Sequence, residues 1–307
     1  MPAADRFRGI LAPVLTPFGP DLSPDPERLI RHCHDLLAEG VGLVPFGTTG
    51  EGNSLSAAEK LDLLDRLADA GIDPQQMMPS TGCSALTDSV RLTQHAVGLG
   101  CRGVLMLPPF YYKNVSDDGL FASLAEVIER VGSDSLRIYL YHIPPVSQVG
   151  FSLDLVERLV EAYPAVIAGI KDSSGDWDNT HALIARGWQD FRVFSGSEVF
   201  LLSNLRAGGA GCISASANVN GAAIVRLYRD WLSPGADALQ EELNGLRGMF
   251  QQYPMIAALK ACIAALTADP EWERLRPPLE ELDPRQSADL IRNAGTRLTS
   301  ASTGNRP

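Results

Sequence analysis

One lysine stands out in this chain because it ends an apolar run. Residues 166–170 are apolar and are followed at once by Lys171 and the polar segment 172–174. The chain has only four lysines among its 26 basic residues, and no other lysine ends such a run. A run of this kind is typical of a strand buried on both faces, where a charged amine is unfavourable. The pattern predicts that Lys171 is a nucleophile that forms a Schiff base with a carbonyl substrate.

The polar residues that follow the other apolar runs are mostly hydroxyls. They lie in residues 47–51, 81–82, 109–112, 141–144, 195–198 and 214. A metal-dependent hydrolase or aldolase would need His, Asp or Glu ligands at several strand ends, and only His142 qualifies. The two acid/base carboxylates of a glycoside hydrolase are equally hard to find. A lysine among hydroxyls suits imine formation with a ketone, because tyrosine and threonine hydroxyls can relay protons.

The composition is that of an ordinary globular protein, with 307 residues of which 45% are hydrophobic and 21% charged. The net charge of −11 argues against a nucleic-acid partner, which needs a basic face, but leaves room for a small anionic substrate. No apolar run reaches the roughly 20 residues of a membrane-spanning helix, and residues 1–9 do not have the pattern of a signal peptide. Five scattered cysteines without a CxxC pair indicate a reduced, cytoplasmic protein.

The elements that position these residues alternate along the first two-thirds of the chain. Strand-like runs begin near Ile10, Gly42, Met77, Gly103, Ile138, Val166, Arg192 and Gly211. Amphipathic helical segments lie between them, one of which begins with the capping box of Ser56 and Glu59. This alternation predicts a (β/α)8 TIM barrel of the α/β class. A doubly wound open sheet is the alternative, but no glycine fingerprint follows the first run.

The strand-like pattern stops near residue 233, and the rest of the chain has helical spacing. Three helices are predicted at residues 236–250, 255–267 and 283–298. We therefore predict three regions: a barrel with the active site (1–232), a C-terminal three-helix extension (233–298) and a disordered tail (299–307).

Four motifs resemble those of one family. They are GTTGE (47–51), PFYYK (109–113), YHIP (141–144) and GIKDSSGD (169–176). In this order and spacing they are similar to the dihydrodipicolinate synthase/N-acetylneuraminate lyase family of pyruvate-dependent class I aldolases. The resemblance extends from residue 7 to about residue 290.

The resemblance implies a catalytic set of one amine and three hydroxyls. Lys171 would form the imine with pyruvate or with the 2-oxo group of the substrate, and Tyr141 would act as general acid and base. Thr48 and Tyr112 would complete a hydroxyl relay, with Tyr112 reaching across a subunit interface. Because the family is usually dimeric or tetrameric, the resemblance also implies a homotetramer or homodimer.

The resemblance also implies substrate-binding residues. Thr49, together with the backbone N–H groups of the loop that contains Gly47 and Gly50, would hold the pyruvyl carboxylate. Gly196 and Ile213 would border the imine.

Other positions bear on the second substrate. Ser173 and His142 resemble the lyases of the family, although His142 can also be read as a packed neighbour. Glu198 either contacts a polyhydroxyl substrate or begins a helix, where an acidic residue is favoured. Val146 stands where dihydrodipicolinate synthases carry an arginine for aspartate semialdehyde, and valine cannot bind a carboxylate through paired hydrogen bonds. Ala215 replaces a serine of the sialic acid lyases.

We therefore predict a carbon–carbon lyase that needs no metal and no cofactor other than the covalent imine on Lys171. Its substrates would be pyruvate and a small aldehyde or 2-oxo acid, and we favour retro-aldol cleavage of a 2-keto-3-deoxy sugar acid that yields an uncharged hydroxy-aldehyde. The alternatives are 4-hydroxy-tetrahydrodipicolinate synthesis, dehydration of a 2-keto-3-deoxy acid, and a protein that binds pyruvate without turnover. No membrane partner is expected.

Overall fold

Seven parallel strands form the centre of the fold in the computed structural model. The structure describes residues 6–302, and side chains as far as residue 295. The strands are β1 (Gly9–Ala12), β2 (Gly42–Leu43), β3 (Val104–Met106), β4 (Ile138–His142), β5 (Ile167–Asp172), β6 (Arg192–Ser195) and β7 (Gly211–Ile213). Their order in the sheet is β2-β1-β7-β6-β5-β4-β3, so the strands follow one another around a curved wall.

The gap between β2 and β3 is closed by the run that begins at Met77. Met77 forms a parallel bridge with Leu43 of β2, and Ser80 forms another with Leu105 of β3. The (β/α)8 barrel is therefore confirmed, with one correction: the third run makes isolated bridges and is not a regular strand. Pro79 lies between the two bridges and has no N–H to donate, which accounts for the interruption.

Helices surround the barrel and follow the predicted alternation. They are α1 (Pro26–Ala38), α2 (Ala57–Asp69), α3 (Leu86–Gly98), α4 (Asp117–Val131), α5 (Pro144–Ser147), α6 (Leu153–Ala162), α7 (Trp177–Ala185), α8 (Leu201–Arg206) and α9 (Ala217–Asp230). The predicted capping box at the start of α2 is confirmed. The N–H of Glu59 donates to the Ser56 hydroxyl at 3.2 Å, and the N–H of Ser56 donates to the Glu59 carboxylate at 2.8 Å.

Strand β4 shows how the barrel sorts its side chains. Ile138 and Leu140 pack in the core between strands and helices, whereas Tyr139 and Tyr141 pack in the barrel interior. Successive side chains of a strand point to opposite faces, so the alternation follows from the strand geometry. It places the Tyr141 ring inside the barrel, near the carboxyl end of the strand.

Three helices follow the barrel, and their bounds are close to those predicted. They are α10 (Ala236–Phe250), α11 (Met255–Thr267) and α12 (Pro284–Ser302). Part of the tail predicted to be disordered belongs to α12, and its last residues, 303–307, lie outside the described residues. Within residues 6–302, no helix combines the length and the apolar character that a membrane span requires.

Candidate active site

Lys171 and Tyr141 lie side by side at the carboxyl end of the barrel. They are register partners on β5 and β4. The Nζ of Lys171 lies 4.3 Å from the centre of the Tyr141 ring, and the two residues are only 3% and 2% exposed. The Tyr141 hydroxyl donates a hydrogen bond to the Thr48 Oγ1 at 3.1 Å. The structure thus brings the predicted amine and two of the three predicted hydroxyls into one group.

This group opens into a cavity of about 750 Å³. The predicted site residues that line it are Thr48, Thr49, Tyr141, Lys171, Ser173 and Gly196. The barrel supplies only part of the wall, because the C-terminal extension lines the cavity as well, through residues 247, 251, 254–257, 275 and 278–280. A substrate considerably larger than pyruvate can be accommodated in such a space.

The loop that carries Thr48 and Thr49 packs tightly against the neighbouring strand end. A Cβ on Gly50 would lie 2.3 Å from the carbonyl oxygen of Val14, so that only glycine permits this approach. Gly47 and Gly50 do not line the cavity themselves. Their contribution in this structure is to the path of the loop.

A buried ion pair holds the end of the same loop. Glu51 accepts a hydrogen bond from Nζ of Lys260 in α11 at 2.5 Å, and both side chains are fully buried. Lys260 also donates to the carbonyl of Arg274 at 2.6 Å, and Glu51 accepts from the N–H of Arg276 at 3.0 Å. Burial lowers the pKa of Lys260, while the Glu51 carboxylate acts in the opposite direction. The extension therefore anchors the loop that bears the two threonines.

The residue after the lysine fixes the end of β5. The Asp172 carboxylate accepts hydrogen bonds from the Thr180 hydroxyl at 2.7 Å, the Asn179 amide at 2.9 Å and the N–H of Ser174 at 2.9 Å. By accepting these three hydrogen bonds, Asp172 ties the strand end that carries Lys171 to helix α7.

Ser173 and Gly196 lie in mutual contact at the cavity wall. A Cβ on Gly196 would be 2.0 Å from the Ser173 hydroxyl oxygen, so a side chain at this position would displace the serine. Glycine at position 196 therefore leaves room for the Ser173 side chain at the cavity wall.

Tyr112 does not join the group within this chain. It is 74% exposed, as is Tyr111, and the two rings pack edge to face with their centres 5.3 Å apart. Its predicted role in the relay therefore depends on a subunit interface. Ile213 is fully buried in the barrel interior and does not line the cavity.

His142 is enclosed behind the cavity wall. Its Nδ1 accepts a hydrogen bond from the N–H of Phe151 at 3.0 Å, and burial lowers the pKa of the imidazole. A neutral ring is what such an acceptor requires. His142 does not line the cavity, and its contacts are those of a packed neighbour.

Glu198 is also buried outside the cavity lining. Its carboxylate accepts hydrogen bonds from the hydroxyls of Ser214 and Ser216 and lies 3.5 Å from Nη1 of Arg247. It is the first residue of a short 3₁₀ turn that Ser197 caps. The interpretation of Glu198 as the start of a helix matches this position.

Arg247 and the Glu51–Lys260 pair are the features that sequence reasoning missed. Arg247 lies on α10 and lines the cavity although it is far from the four motifs in the chain. One signal was available for Lys260, because it is a lone charge in a helix made mostly of alanine and other apolar residues. Among residues 6–302, no group of three or more His, Cys, Asp or Glu side chains is arranged to hold a metal ion.

A buried lysine beside a tyrosine–threonine pair, at the strand ends of a barrel, is typical of one class of Schiff-base enzymes. The comparisons with known proteins agree with this class. The profile of the Dihydrodipicolinate synthetase family matches residues 6–294. The chain belongs to this family, whose members are class I lyases and aldolases that use a lysine Schiff base with pyruvate. The predicted family, fold and enzyme class are thus confirmed.

Individual relatives are similar over nearly their whole length. An uncharacterized DapA-like lyase of Chloroflexus aurantiacus is 34% identical over 96% of this chain and 98% of its own. The crystal structure of dihydrodipicolinate synthase from Agrobacterium tumefaciens has a TM-score of 0.86 at 32% identity, and covers 94% of this chain and 98% of its own. YagE of Escherichia coli K12, a prophage protein of the same family in complex with pyruvate, has a TM-score of 0.85 at 27% identity, over 95% and 98%.

Proposed function

We propose that Lys171 is the imine-forming residue of a lyase that cleaves a 2-keto-3-deoxy sugar acid, or a related 2-oxo acid, into pyruvate and an aldehyde. The observation that carries this proposal is the position of the Lys171 amine. It is buried over the Tyr141 ring, beside the Tyr141–Thr48 hydrogen bond, and faces a cavity much larger than pyruvate. Imine formation needs both a nucleophilic amine and a nearby proton carrier, and this group contains both.

The proposed reaction runs through an enamine. The Lys171 nitrogen attacks the C2 carbonyl of the substrate, and loss of water gives the imine. The Tyr141 hydroxyl gives its proton to the departing water, and its oxygen then takes the proton of the C4 hydroxyl while the C3–C4 bond breaks. The bonding electrons move into the imine, so the aldehyde leaves and an enamine remains. Protonation at C3 and addition of water then release pyruvate and restore the amine.

Two hydroxyl-bearing residues have supporting roles in this proposal. Thr48 accepts the hydrogen bond of the Tyr141 hydroxyl, so it orients the proton carrier toward the substrate. Thr49 lines the cavity beside it and, with the backbone N–H groups of its loop, holds the carboxylate of the 2-oxo acid. Because these groups are fixed by a packed loop, they need little rearrangement when the substrate binds.

Pyruvate with sodium borohydride is the direct test of the proposed chemistry. We expect one reduced pyruvyl adduct per chain, located on Lys171 by peptide mass analysis. A panel of 2-keto-3-deoxy acids, assayed through lactate dehydrogenase for released pyruvate, should identify the substrate. Absence of the adduct, or an adduct on another lysine, would contradict the mechanism. An adduct with no turnover of any substrate would favour a protein that binds pyruvate without catalysis.

The relatives' names favour a second candidate, which is 4-hydroxy-tetrahydrodipicolinate synthesis from pyruvate and aspartate semialdehyde. Val146 argues against it, because this 60% exposed residue lines the cavity at the position where the synthases of the family are expected to carry the arginine for the semialdehyde carboxylate. Dehydration of the same sugar acids would begin with the same imine. The substrate panel separates dehydration from cleavage, since dehydration leaves the carbon chain intact.

Val146→Arg tests the second candidate. We expect the native enzyme to condense aspartate semialdehyde poorly, and the variant to do so at least about tenfold better, because a charged hydrogen bond to the carboxylate is gained. The measurement is kcat/KM for aspartate semialdehyde. Val146→Met, of similar bulk but uncharged, is the matched control. Efficient condensation by the native enzyme would show that the second candidate is correct.

We further propose a cytoplasmic homo-oligomer, either a homotetramer or a homodimer. The exposed pair of Tyr111 and Tyr112 supports the oligomer, since exposed aromatic side chains are typical of interfaces. If a neighbouring subunit receives Tyr112, its hydroxyl completes the relay there. The absence of disulfides among the five cysteines supports the reducing location.

A further inference from the structure

Arg247 has donor capacity that the described part of the chain does not use. Its side chain is 13% exposed and lines the same cavity as Lys171. Its Nε atom is buried and has no hydrogen-bond partner among the described residues. A guanidinium whose donors are this incompletely paired is unfavourable, so at a cavity wall it suggests a ligand that offers acceptors to the part of the side chain that faces the cavity.

Glu198 accounts for only part of the Arg247 charge. The only contact between them is 3.5 Å long, from Nη1, whereas the hydroxyls of Ser214 and Ser216 donate directly to the carboxylate. Ser214 is also 3.5 Å from Nη1. The carboxylate is thus stabilised largely by the serines, and the guanidinium keeps donor capacity for another anion.

The surroundings make Arg247 the dominant cation of this wall. Its neighbours along the extension, such as Pro254, Met255 and Leu275, are apolar, and Gln251, one helical turn further on, is uncharged. Glu280 also lines the cavity but is exposed, so water screens its charge. An anion bound at Arg247 would lie in a partly desolvated place, where paired contacts to guanidinium are strong.

We propose that Arg247 binds a second anionic group of the substrate, at the end remote from its 2-oxo acid carboxylate. The substrate class is then a 2-oxo acid that ends in a carboxylate or a phosphate, and the released aldehyde carries that anion. The inference rests on the imine chemistry proposed above. It replaces the expectation of an uncharged aldehyde. That expectation was based on Val146, because the sequence alone did not indicate that Arg247 lines the cavity.

The test compares 2-oxo acids that differ only at the far end. 2-Oxohexanoate, 2-oxoadipate and 6-phospho-2-oxohexanoate are each trapped on the enzyme with borohydride, and the concentration for half-maximal adduct formation is measured. We expect one of the two acids with a distal anion to be trapped at a concentration about ten- to a hundredfold lower than 2-oxohexanoate. The preferred acid identifies the distal group as carboxylate or phosphate.

Arg247→Met should remove this preference while trapping of pyruvate, which has no distal group, stays unchanged. Glu198→Gln should increase the preference, because it removes the counter-charge and leaves Arg247 in place. Arg226→Met, which breaks an exposed pair with Glu242, is the matched control and should change nothing. Thermal unfolding of each variant identifies any that fail to fold.

The outcomes separate this inference from the function on which it rests. If pyruvate is not trapped on Lys171, the proposed function is wrong. If pyruvate is trapped but the three acids behave alike, or if their preference survives Arg247→Met, the inference is wrong and Arg247 is only a partner of Glu198. Loss of pyruvate trapping in folded Arg247→Met would also contradict it, because Arg247 would then hold the first carboxylate.

Discussion

Replacing Lys171 with methionine is expected to abolish the borohydride adduct and to lower pyruvate release on the order of 10⁴-fold or more. Methionine fills a similar volume but has no amine, and no other amine lies in the group formed with Tyr141 and Thr48 in the described structure. The measurements are mass analysis of the trapped protein and kcat with the substrate found in the panel. Folding should be maintained, because an apolar side chain of similar length replaces a polar one in a buried place.

Two control variants make the Lys171 result specific. Lys60 is also buried, and burial lowers its pKa, but it does not line the cavity, so Lys60→Met should keep the adduct. Tyr141→Phe keeps the amine and the ring but removes the proton carrier. Pyruvate should still form the adduct on Lys171 in this variant, but more slowly, and kcat should fall by about 10²–10⁴-fold. A Lys171→Met protein that still releases pyruvate at a comparable rate would rule out the imine mechanism.

Lys260→Met is expected to destabilise the protein by about 3–5 kcal/mol, because it leaves the buried Glu51 carboxylate without its cation. The two side chains are fully buried and 2.5 Å apart, so water cannot take the place of the missing amine. The loop that holds Thr48 and Thr49 loses its anchor, and we expect a raised KM for the 2-oxo acid as well. Urea unfolding gives the stability change, and steady-state kinetics gives the KM.

The double variant Glu51→Gln with Lys260→Met should recover much of the lost stability, since the uncompensated charge is removed together with its partner. Arg66→Met breaks the exposed pair with Asp62 and should change the stability by less than about 1 kcal/mol. If Lys260→Met unfolds at the same urea concentration as the native protein, the pair does not anchor the loop. If the double variant recovers its full stability but its KM stays raised, the role of the pair is to position the loop that carries Thr48 and Thr49.

The residues found from sequence were those whose signal is local. Lys171 ends its strand, and Tyr141 lies in a motif at the end of β4, where a barrel gathers its chemistry. The parallel register between β4 and β5 then brings them together without any further information. Strand alternation also explains why Tyr141 points into the barrel.

The residues that sequence did not place depend on contacts between distant parts of the chain. Glu51 and Lys260 are separated by 209 positions, and nothing local indicates that they meet. Glu198 follows a strand end, as a site residue should, yet the serine hydroxyls of the next strand end bind its carboxylate away from the cavity. Tyr112 lies in a family motif but is exposed in the single chain, so its role depends on a neighbour that one sequence does not show.

The division of the cavity wall between two parts of the fold has a consequence for changing what this enzyme accepts. Lys171 and its hydroxyl partners belong to the barrel, whereas Arg247 and the apolar residues beside it belong to the C-terminal extension. Selectivity can therefore evolve, or be engineered, by exchanging one contiguous stretch of sequence, residues 233–298, while the residues proposed for the covalent chemistry stay untouched. The buried pair between Glu51 and Lys260 sets the condition for such an exchange, because a replacement segment must bring a lysine to the same place as long as Glu51 is kept.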